Sequence, residues 1–386
     1  MPVGTLKNTL YGFVLPILGK RCQWKQVDGD NNAVASAMRA VFRKRHVVGA
    51  CVQRFQNGRL TEAYTAGFSA LEPDSRPIAQ TTVFRTASVA KMVCALLVFR
   101  LQTLGKLSIL EDVSDFLGYP VRNPHCPDAP ITLGMLLGHT SSIIDSPAYF
   151  EAFSTPRDLS ELLADEAAYA RAIPGVGFRY SNLAAGMIGC MLEKRFGQSF
   201  EALMQSELFL PLGIEATFDL AKLDGSRVAN GYRVLPPAFC FDARARAAAA
   251  QPVDDPQPER HYLLASGNLY LTAEALAKLA LTAWDGRGGF LNGECVAQMQ
   301  KPVAQWPEKA VRMRHGMGLL QLDDAEICGR PLWGHQGFAY GSVNGVFFDG
   351  GGNGFAMLNS GASEQRMGHL AMINRDLISL LLEKKG

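Results

Sequence analysis

The sequence has little excess of either charge and contains no run of like-charged residues. Its 386 residues include 38 lysines and arginines against 36 aspartates and glutamates, which gives a formal net charge of +2 at pH 7. Nucleic acids and acidic membrane surfaces attract proteins with a marked positive excess. The charge balance therefore argues against a nucleic-acid partner.

Metal-binding and disulfide motifs are also missing. The eight cysteines are scattered without a C-x-x-C pair, and no H-E-x-x-H motif occurs. Scattered cysteines are typical of buried thiols, and H-E-x-x-H is the motif of zinc peptidases. We therefore expect no metal, no cofactor and no disulfide framework.

No segment is apolar over a length that could span a bilayer, because the most apolar run, residues 89–99, is short and contains Lys91. Residues 1–22 fit either a weak signal peptide or a surface helix. They offer no small-x-small cleavage site, which favours the surface helix and a cytoplasmic location over export. The oligomeric state is left open.

The patterned segments follow the order strands, helices, strands. Residues 47–55 and 60–67 flank Asn57-Gly58, the strongest short hairpin-turn signal, and helical spacing dominates from residue 88 to about 218. Short strands return near the C-terminus. Two distant strand sets predict one antiparallel sheet built from both chain ends. The predicted fold class is α+β, with helices flanking the sheet and a mostly α-helical inserted domain.

The domain organisation follows from that order. We predict an N-terminal extension (1–27), a sheet domain formed by 28–85 and 310–386, and a mostly helical domain (86–309). Ligands tend to bind between such parts, so the active site is expected in the cleft between the two domains.

Three further segments have distinctive composition. Residues 235–260 are rich in proline and are predicted to form a long loop, and residues 366–384 are predicted to form a closing amphipathic helix. Residues 349–354 are rich in glycine but lack the G-x-G-x-x-G spacing and a following helix. A hairpin turn is therefore favoured over a phosphate-binding loop.

The stretch "FRTASVAKMVCALLVF" places Lys91 in an apolar helix, three residues after Ser88. Side chains at i and i+3 share one helical face, so the two can meet. A serine hydroxyl needs a base to become a nucleophile, and burial favours the uncharged form of a lysine. The alternative is a surface serine beside a lysine that extends to solvent, which the apolar context of Lys91 argues against.

The segment "PGVGFRYSN" places Tyr180 and Asn182 just before a predicted helix. A tyrosine hydroxyl near a lysine can relay a proton, and an asparagine amide can both donate to and accept from a substrate amide. The alternative is that Tyr180 is an ordinary aromatic residue and Asn182 a helix N-cap.

The segment "LWGHQGFAYGS" places His335, Gln336 and Gly337 on a predicted strand. Gly337 would allow a ligand to approach the backbone closely. The N–H of Phe338 could pair with that of Ser88 to form an oxyanion hole. A lone histidine such as His335 is more often structural than catalytic.

Taken together, Ser-x-x-Lys, Tyr-x-Asn and His-x-Gly in this order resemble the serine hydrolases of the β-lactamase and penicillin-binding-protein superfamily. The Tyr-x-Asn form resembles the class C β-lactamase-like branch, which also holds D,D-peptidases, D-aminopeptidases and esterases. The likeness extends from about residue 30 to residue 384. It implies an antiparallel sheet from both chain ends, flanking helices and a mostly helical domain.

The resemblance implies roles for the motif residues. Ser88 would be the nucleophile that forms the acyl-enzyme, and Lys91 would assist its deprotonation. Tyr180 would be the general base for acylation or the acid toward the leaving group. Asn182 would hold Lys91 and the acyl amide of the substrate.

The third motif departs from the β-lactamase pattern. His335 would line the cleft where the leaving group binds, and Ser88 and Phe338 would supply the oxyanion N–H groups. β-Lactamases of this class usually carry Lys-Thr-Gly where this chain has His335-Gln336-Gly337. Because a histidine with a pKa near 6.5 is mostly neutral at pH 7, strong recognition of a β-lactam carboxylate is not expected.

A second departure lies in "HTSS", where Ser142 replaces the glycine often seen in the family. His139, Thr140 and Ser141 are expected to shape a loop of the cleft. A direct role for His139 is the less favoured alternative.

The leading hypothesis is a metal-free serine hydrolase that acts on a small-molecule or short-peptide substrate. Short-chain esters, D-amino-acid peptides or amides, and β-lactams are candidates in that order. One alternative is a true class C-type β-lactamase. Another is a sensor that binds a peptidoglycan fragment or a β-lactam without turnover.

Overall fold

The computed structural model describes residues 20–21, 24–235, 239–242, 253–307 and 310–383. Within these ranges the strands are β1 (Lys20–Arg21), β2 (Val27–Gly29), β3 (Gly49–Gln56), β4 (Arg59–Ala70), β5 (Arg76–Pro77), β6 (Phe84–Arg85), β7 (Ala216–Thr217), β8 (Tyr232–Leu235), β9 (Phe239–Asp242), β10 (Tyr270–Leu271), β11 (Ala304–Gln305), β12 (Met313–His315), β13 (Leu320–Leu322), β14 (Leu332–Ala339), β15 (Ser342–Asp349), β16 (Gly354–Gly361), β17 (Arg366–Met367) and β18 (Leu370–Ala371).

The α-helices of the described ranges are mostly short and lie mainly between β6 and β11. They are α1 (Asn32–Lys44), α2 (Ala90–Thr103), α3 (Val113–Leu117), α4 (Leu133–Leu137), α5 (Pro147–Glu151), α6 (Leu159–Ala164), α7 (Asn182–Phe196), α8 (Phe200–Met204), α9 (Leu210–Leu212), α10 (Ala273–Asp285), α11 (Gly293–Gln300) and α12 (Met372–Leu381).

One large antiparallel sheet joins the two ends of the chain. Its order is β11-β12-β13-β14-β15-β16-β3-β4-β2, and β5 pairs with β4 beside it. The junction is the pairing of β16 with β3, in which Met357 lies opposite Val52. The prediction of an antiparallel sheet built from both chain ends and flanked by helices is confirmed.

The two predicted hairpin turns are present. Asn57 and Gly58 connect β3 to β4 with φ of 50° and 74°, and a two-residue turn with both φ values positive matches the twist of the flanking strands. Asp349 closes the turn between β15 and β16, where its carboxylate accepts hydrogen bonds from the backbone of Gly351 and Asn353. This segment is therefore a hairpin turn, as predicted.

Helices cover both faces of the sheet. On one face, α1 and α12 pack together over buried side chains such as Met38, Phe42 and Leu377. On the other face, α10 packs against β3, β15 and β16. Behind it lies α2, whose residues 90–99 are all buried, as expected for a helix that is apolar on every side.

Two sequence-based predictions need correction. The closing helix begins at Met372 and not at Arg366, because Arg366–Met367 and Leu370–Ala371 pair as a small hairpin. Part of the predicted loop at 235–260 is a strand, since Phe239–Asp242 pairs with β8 and β1. Residues 236–238 and 243–252 of that loop lie outside the described residues, as do residues 1–19 and 22 of the N-terminal segment 1–22, for which a surface helix was favoured.

None of the helices in the described ranges combines the length and the hydropathy that a membrane crossing needs. In the same ranges, no group of three or more histidine, cysteine or acidic side chains is arranged to hold a metal ion.

Candidate active site

Ser88 lies in a tight turn between the sheet and the helical core. Residues Ala87–Val89 form a single 3₁₀ turn that follows β6 and leads directly into α2. Ala87 enters this turn with φ of 53°, a left-handed conformation that costs a residue other than glycine about 1–2 kcal/mol. The turn leaves Ser88 half-buried, at the wall of a cavity.

Lys91 is buried one turn later, and all of its hydrogen-bonding capacity is used. Only 4% of its surface is exposed. Its Nζ lies 3.1 Å from Ser88 Oγ, 2.9 Å from Asn182 Oδ1 and 2.6 Å from the carbonyl oxygen of Ser266. Because an ammonium group carries three N–H donors, these contacts compensate the cost of burying it. The predicted meeting of Ser88 and Lys91 is therefore present.

The identity of these partners orients the amine. The oxygens of Asn182 and Ser266 are carbonyl oxygens and can only accept hydrogen bonds. They hold two N–H groups of Lys91 whether or not the amine is protonated. The third position on nitrogen points at Ser88 Oγ, so that a neutral Lys91 presents its lone pair to the serine hydroxyl.

Asp145 determines which end of the Asn182 amide faces Lys91. Its carboxylate accepts from Asn182 Nδ2 at 2.8 Å, and from Ser181 Oγ and Leu183 N at 2.9 Å each. Since a carboxylate can only accept, the amide must present Nδ2 to Asp145 and Oδ1 to Lys91. We did not identify Asp145 from the sequence, where it lies in an unremarked loop.

The start of α7 positions the Tyr-x-Asn motif. Ser181 is the N-cap, and its Oγ accepts from the backbone N–H of Ala184 at 3.0 Å. Asn182 is thus the first helical residue and not the cap, so its side chain is available to Lys91. Tyr180 precedes the cap, where the chain is still extended toward the cleft.

Tyr180 lies beside Lys91 in an aromatic cluster. Its ring centroid is 5.2 Å from Lys91 Nζ. The ring stacks on Trp306 with centroids 5.8 Å apart and approaches the ring of His139 to 4.4 Å. Tyr180 itself is half-buried. Trp306 was not identified from the sequence, because no motif surrounds it.

Three histidines, His139, His315 and His335, pack together next to this cluster, and we call them the histidine cluster. The rings of His139 and His315 lie 4.8 Å apart, and those of His315 and His335 lie 6.2 Å apart. Each is at most 2% exposed. The sequence had not singled out His315.

Burial keeps the histidine cluster neutral. It lowers the pKa of His315 to about 4, and the positive charge of Lys91 adds to this effect. Burial also holds the pKa values of His139 and His335 well below their usual range, with smaller contributions from His315 and Lys91. The Nε2 atoms of His315 and His335 are buried and have no hydrogen-bond partner among the described residues.

His335 is buried on β14 and is not among the residues that line the cavity at Ser88. Its Nδ1 lies 2.7 Å from the carbonyl oxygen of Gln336, to which it donates. His315, from β12, contributes the neighbouring ring of the histidine cluster. That His335 lines the leaving-group side of the cleft stays a prediction.

Gly337 and Phe338 follow on β14 and lie against the Ser88 turn. A Cβ at Gly337 would come within 2.5 Å of the Thr86 carbonyl oxygen and 2.9 Å of Ser88 N. Only glycine allows so close an approach. Phe338 lines the same cavity as Ser88, which brings their two segments together as the oxyanion prediction requires.

Gln336 points away from the site. Its Oε1 accepts from Ala371 N at 3.1 Å and from Asn374 Nδ2 at 3.2 Å. These bonds tie β14 to the start of α12. They fix the strand that carries the neighbouring Gly337.

The loop that contains "HTSS" includes a residue with a left-handed backbone conformation. Ser142 has φ of 66°, in the region that favours glycine, which accounts for the glycine that the family often has there. Asn123 donates to Ser142 Oγ at 2.9 Å. In the same loop, His139 accepts from the Ser181 backbone N–H at 3.2 Å, so this histidine supports the start of α7.

A cavity of about 860 Å³ opens beside Ser88. Its lining combines apolar side chains with polar ones from β6 and from the segments around residues 260 and 268. The lining includes Tyr149, Phe150, Phe153, Arg85, Arg260 and Asn268. The volume is within the range of small-molecule sites.

Curated relatives of the chain include a penicillin-binding protein and an esterase. A penicillin-binding protein of Bacillus subtilis (strain 168) is 25% identical over 180 residues, which cover 45% of this chain and 38% of the relative. Esterase EstB of Burkholderia gladioli is 29% identical over 208 residues, covering 48% of this chain and 51% of the esterase. The chain thus aligns with about half or less of these two relatives.

Solved structures match over nearly the whole chain. An octameric penicillin-binding protein homologue from Pyrococcus abyssi superposes with a TM-score of 0.72 and 24% identity, covering 91% of this chain and 77% of the homologue. EstCE1, a hydrolase with promiscuous acyltransferase activity, gives a TM-score of 0.71 and 22% identity, covering 90% and 98%. At these identities the matches show the fold.

The family itself is shown by the sequence profile of the Beta-lactamase family, which matches residues 32–377. This span contains every element from α1 to the middle of α12, including Ser88, Lys91, Asn182 and Gly337. The protein belongs to the Beta-lactamase family.

Proposed function

We propose that the protein is a serine hydrolase that forms an acyl-enzyme on Ser88. The observation that carries the proposal is the geometry of Lys91. Its amine has two N–H groups held by carbonyl oxygens and its third position directed at Ser88 Oγ, 3.1 Å away. That is the arrangement a base needs to activate a serine.

Acylation begins when the neutral amine of Lys91 takes the hydroxyl proton of Ser88. The Ser88 oxygen forms a bond to the acyl carbon of the substrate, and the carbonyl electron pair moves onto the carbonyl oxygen. We assign the N–H groups of Ser88 and Phe338 to that oxygen. Such preorganised donors stabilise a developing negative charge strongly.

Expulsion of the leaving group requires a proton. Tyr180, whose ring lies 5.2 Å from Lys91 Nζ, is the group that we assign to deliver it, and Lys91 then restores the tyrosine proton. Water reverses these steps to release the acid. The neutral histidine cluster matters here, because a charged imidazole would oppose the positive charge that Lys91 acquires during acylation.

The substrate classes that we propose are short-chain esters first, then D-amino-acid amides or peptides, and weakly β-lactams. Two observations support the low rank of β-lactams. His335 takes the place of the lysine usual in class C β-lactamases, and its pKa is held well below the usual range by burial. It therefore supplies no positive charge for a β-lactam carboxylate.

Labelling with a fluorophosphonate, followed by mapping of the adduct by mass spectrometry, tests the nucleophile. We expect the adduct on Ser88 and its loss in Ser88→Ala. Ser226→Ala, a change at an exposed serine, is the matched control and should label normally. An adduct on another residue, or no adduct, would contradict the proposal.

Hydrolysis rates with different substrates distinguish this proposal from a true β-lactamase and from a sensor without turnover. p-Nitrophenyl esters, D-alanyl peptides and a chromogenic cephalosporin would be compared at equal enzyme concentration. Faster hydrolysis of the cephalosporin than of the esters would identify a true β-lactamase instead. A stable Ser88 adduct without product from any substrate would identify a sensor.

A further inference from the structure

The cavity beside Ser88 is lined by Ser88, Asn182 and Phe338, whereas the proton-transfer residues Lys91 and Tyr180 do not line it. Under the proposed function, the leaving group must lie toward Tyr180, since it takes its proton there. The acyl group of the substrate therefore occupies the cavity.

Arg85 in the cavity wall has no counter-charge. Its Nε donates to the carbonyl oxygen of Gly267 at 3.2 Å, its Nη2 donates to Asn268 Oδ1, and its guanidinium lies 4.7 Å from the ring centroid of Tyr340. All three partners are neutral. No carboxylate in the described part of the chain lies within ion-pair distance of Arg85, and its Nη1 is buried without a hydrogen-bond partner there.

The second arginine of the cavity is different. Arg260 Nε lies 2.7 Å from Asp158 Oδ1, so its charge is already compensated. Among the described residues that line the cavity there is no aspartate or glutamate. Arg85 is thus a partly buried cation without a counter-charge among the described residues.

Aromatic side chains also line the cavity. Tyr149 is buried, while Phe150 and Phe153 are 59% and 54% exposed. Large exposed aromatic side chains beside a cavity suit the methylene groups of a ligand. The walls together fit a short apolar chain with a negative charge at its end.

We propose that the acyl group of the substrate carries a carboxylate that pairs with Arg85. Because Arg85 precedes Ser88 by three residues, their Cα atoms are at most about 10 Å apart. Both residues line the same cavity, and we take dicarboxylic acyl groups of succinyl to adipoyl size as the lengths to test for spanning from Ser88 to the guanidinium. This inference rests on the proposed function and specifies its acyl substrate.

The test compares charged and neutral esters of equal length. The substrates are the p-nitrophenyl half-esters of succinate, glutarate and adipate, each paired with its methyl-capped neutral diester. We expect the wild-type enzyme to prefer the charged glutarate or adipate ester by about tenfold in kcat/KM, and added salt to reduce this preference. Equal or slower hydrolysis of the charged esters by the wild type would overturn the proposal.

Two variants form a matched pair. Arg85→Gln should abolish the preference, whereas Arg260→Gln should retain it because Arg260 is already neutralised. A preference that survives Arg85→Gln would overturn the assignment to Arg85. If Arg85→Gln does not fold, the wild-type preference and its salt dependence still decide between the outcomes.

The outcomes distinguish failure of the proposed function from failure of the acyl assignment. If a fluorophosphonate does not label Ser88 and no ester is hydrolysed, the proposed function is wrong and the acyl assignment falls with it. If Ser88 is labelled and the neutral esters are hydrolysed as fast as the charged ones, only the acyl assignment is wrong.

Discussion

The carboxylate of Asp145 lies 2.8 Å from Nδ2 of Asn182, and this contact leaves Oδ1 of the same amide to Lys91. A side-chain amide has no intrinsic preference for which end faces a neighbour. An acceptor-only partner supplies that preference. The orientation of the Lys91 amine therefore depends on a residue that does not itself touch it.

Replacing Asp145 by asparagine should lower kcat about 10- to 100-fold, because the new side chain can also donate and no longer fixes the Asn182 amide. KM should change little, since Asp145 does not line the cavity. Steady-state ester hydrolysis measures both constants. Asp219→Asn, which alters the cap of a short 3₁₀ turn elsewhere, is the matched control. If Asp145→Asn lowers the melting temperature but leaves kcat unchanged, the only role of Asp145 is to place a negative charge at the N-terminus of α7.

Lys91→Arg should lower the acylation rate about 10²- to 10⁴-fold, the usual contribution of a general base. A guanidinium stays protonated and has no lone pair for Ser88. The rate of fluorophosphonate labelling at Ser88 measures acylation without a turnover assay. Near-normal labelling of a folded Lys91→Arg protein would mean that Ser88 is activated by another group.

Gly337→Ala should abolish labelling of Ser88 and destabilise the fold by about 1–3 kcal/mol. The added Cβ would lie within 2.9 Å of Ser88 N, so either β14 or the Ser88 turn has to move. Gly350→Ala in the next turn of the same sheet is the control, because its nearest contact would be an ordinary 3.9 Å to Trp333. Denaturant unfolding and labelling measure the two effects. Normal labelling in Gly337→Ala would show that the close approach is not needed.

Acid should destabilise the protein through the histidine cluster. Burial lowers the pKa of His315 to about 4, whereas an unfolded histidine has a pKa near 6.5. The unfolded chain therefore binds a proton that the folded chain rejects, and stability present above pH 6.5 is lost as the pH falls toward 4. For His315 the loss amounts to about 3 kcal/mol at most.

Melting temperatures between pH 7.5 and 4.5 would detect this loss. His315→Asn retains a donor for the Gly316 carbonyl oxygen and removes the titrating ring, so its melting temperature should depend less steeply on pH. His46→Asn, at a half-buried position with φ of 52° that asparagine tolerates, is the control. Equal slopes for His315→Asn and the wild type would contradict this account.

Local spacing predicted the parts of the site that lie within one turn of helix. Ser88 and Lys91 meet because they are three residues apart, and Asn182 is placed by the cap that precedes it. The hairpin at Asn57-Gly58 was predictable for the same reason, since the two residues alone determine the turn.

Contacts between distant segments were not predictable. Asp145 reaches Asn182 from a loop 37 residues earlier in the chain, and no motif connects them. The sequence indicated the strand of His335 but not the histidine cluster, because His315 comes from another strand. The closing helix was predicted to start too early in the chain, because Arg366–Met367 pairs with Leu370–Ala371 in a hairpin. Helical periodicity in the sequence does not reveal such a strand pairing.

Within the large sheet, strands from the early and the late segments of the chain meet where β16 pairs with β3, and we call this junction the seam. Ser88 belongs to the early part and Phe338 to the late part, so the two N–H groups assigned to the oxyanion come together only when that seam closes. A ribosome-bound chain that has not yet produced β14 to β16 carries the serine and the lysine but lacks half of the oxyanion site. Under the proposed function, hydrolytic competence is thereby tied to the synthesis of these later strands.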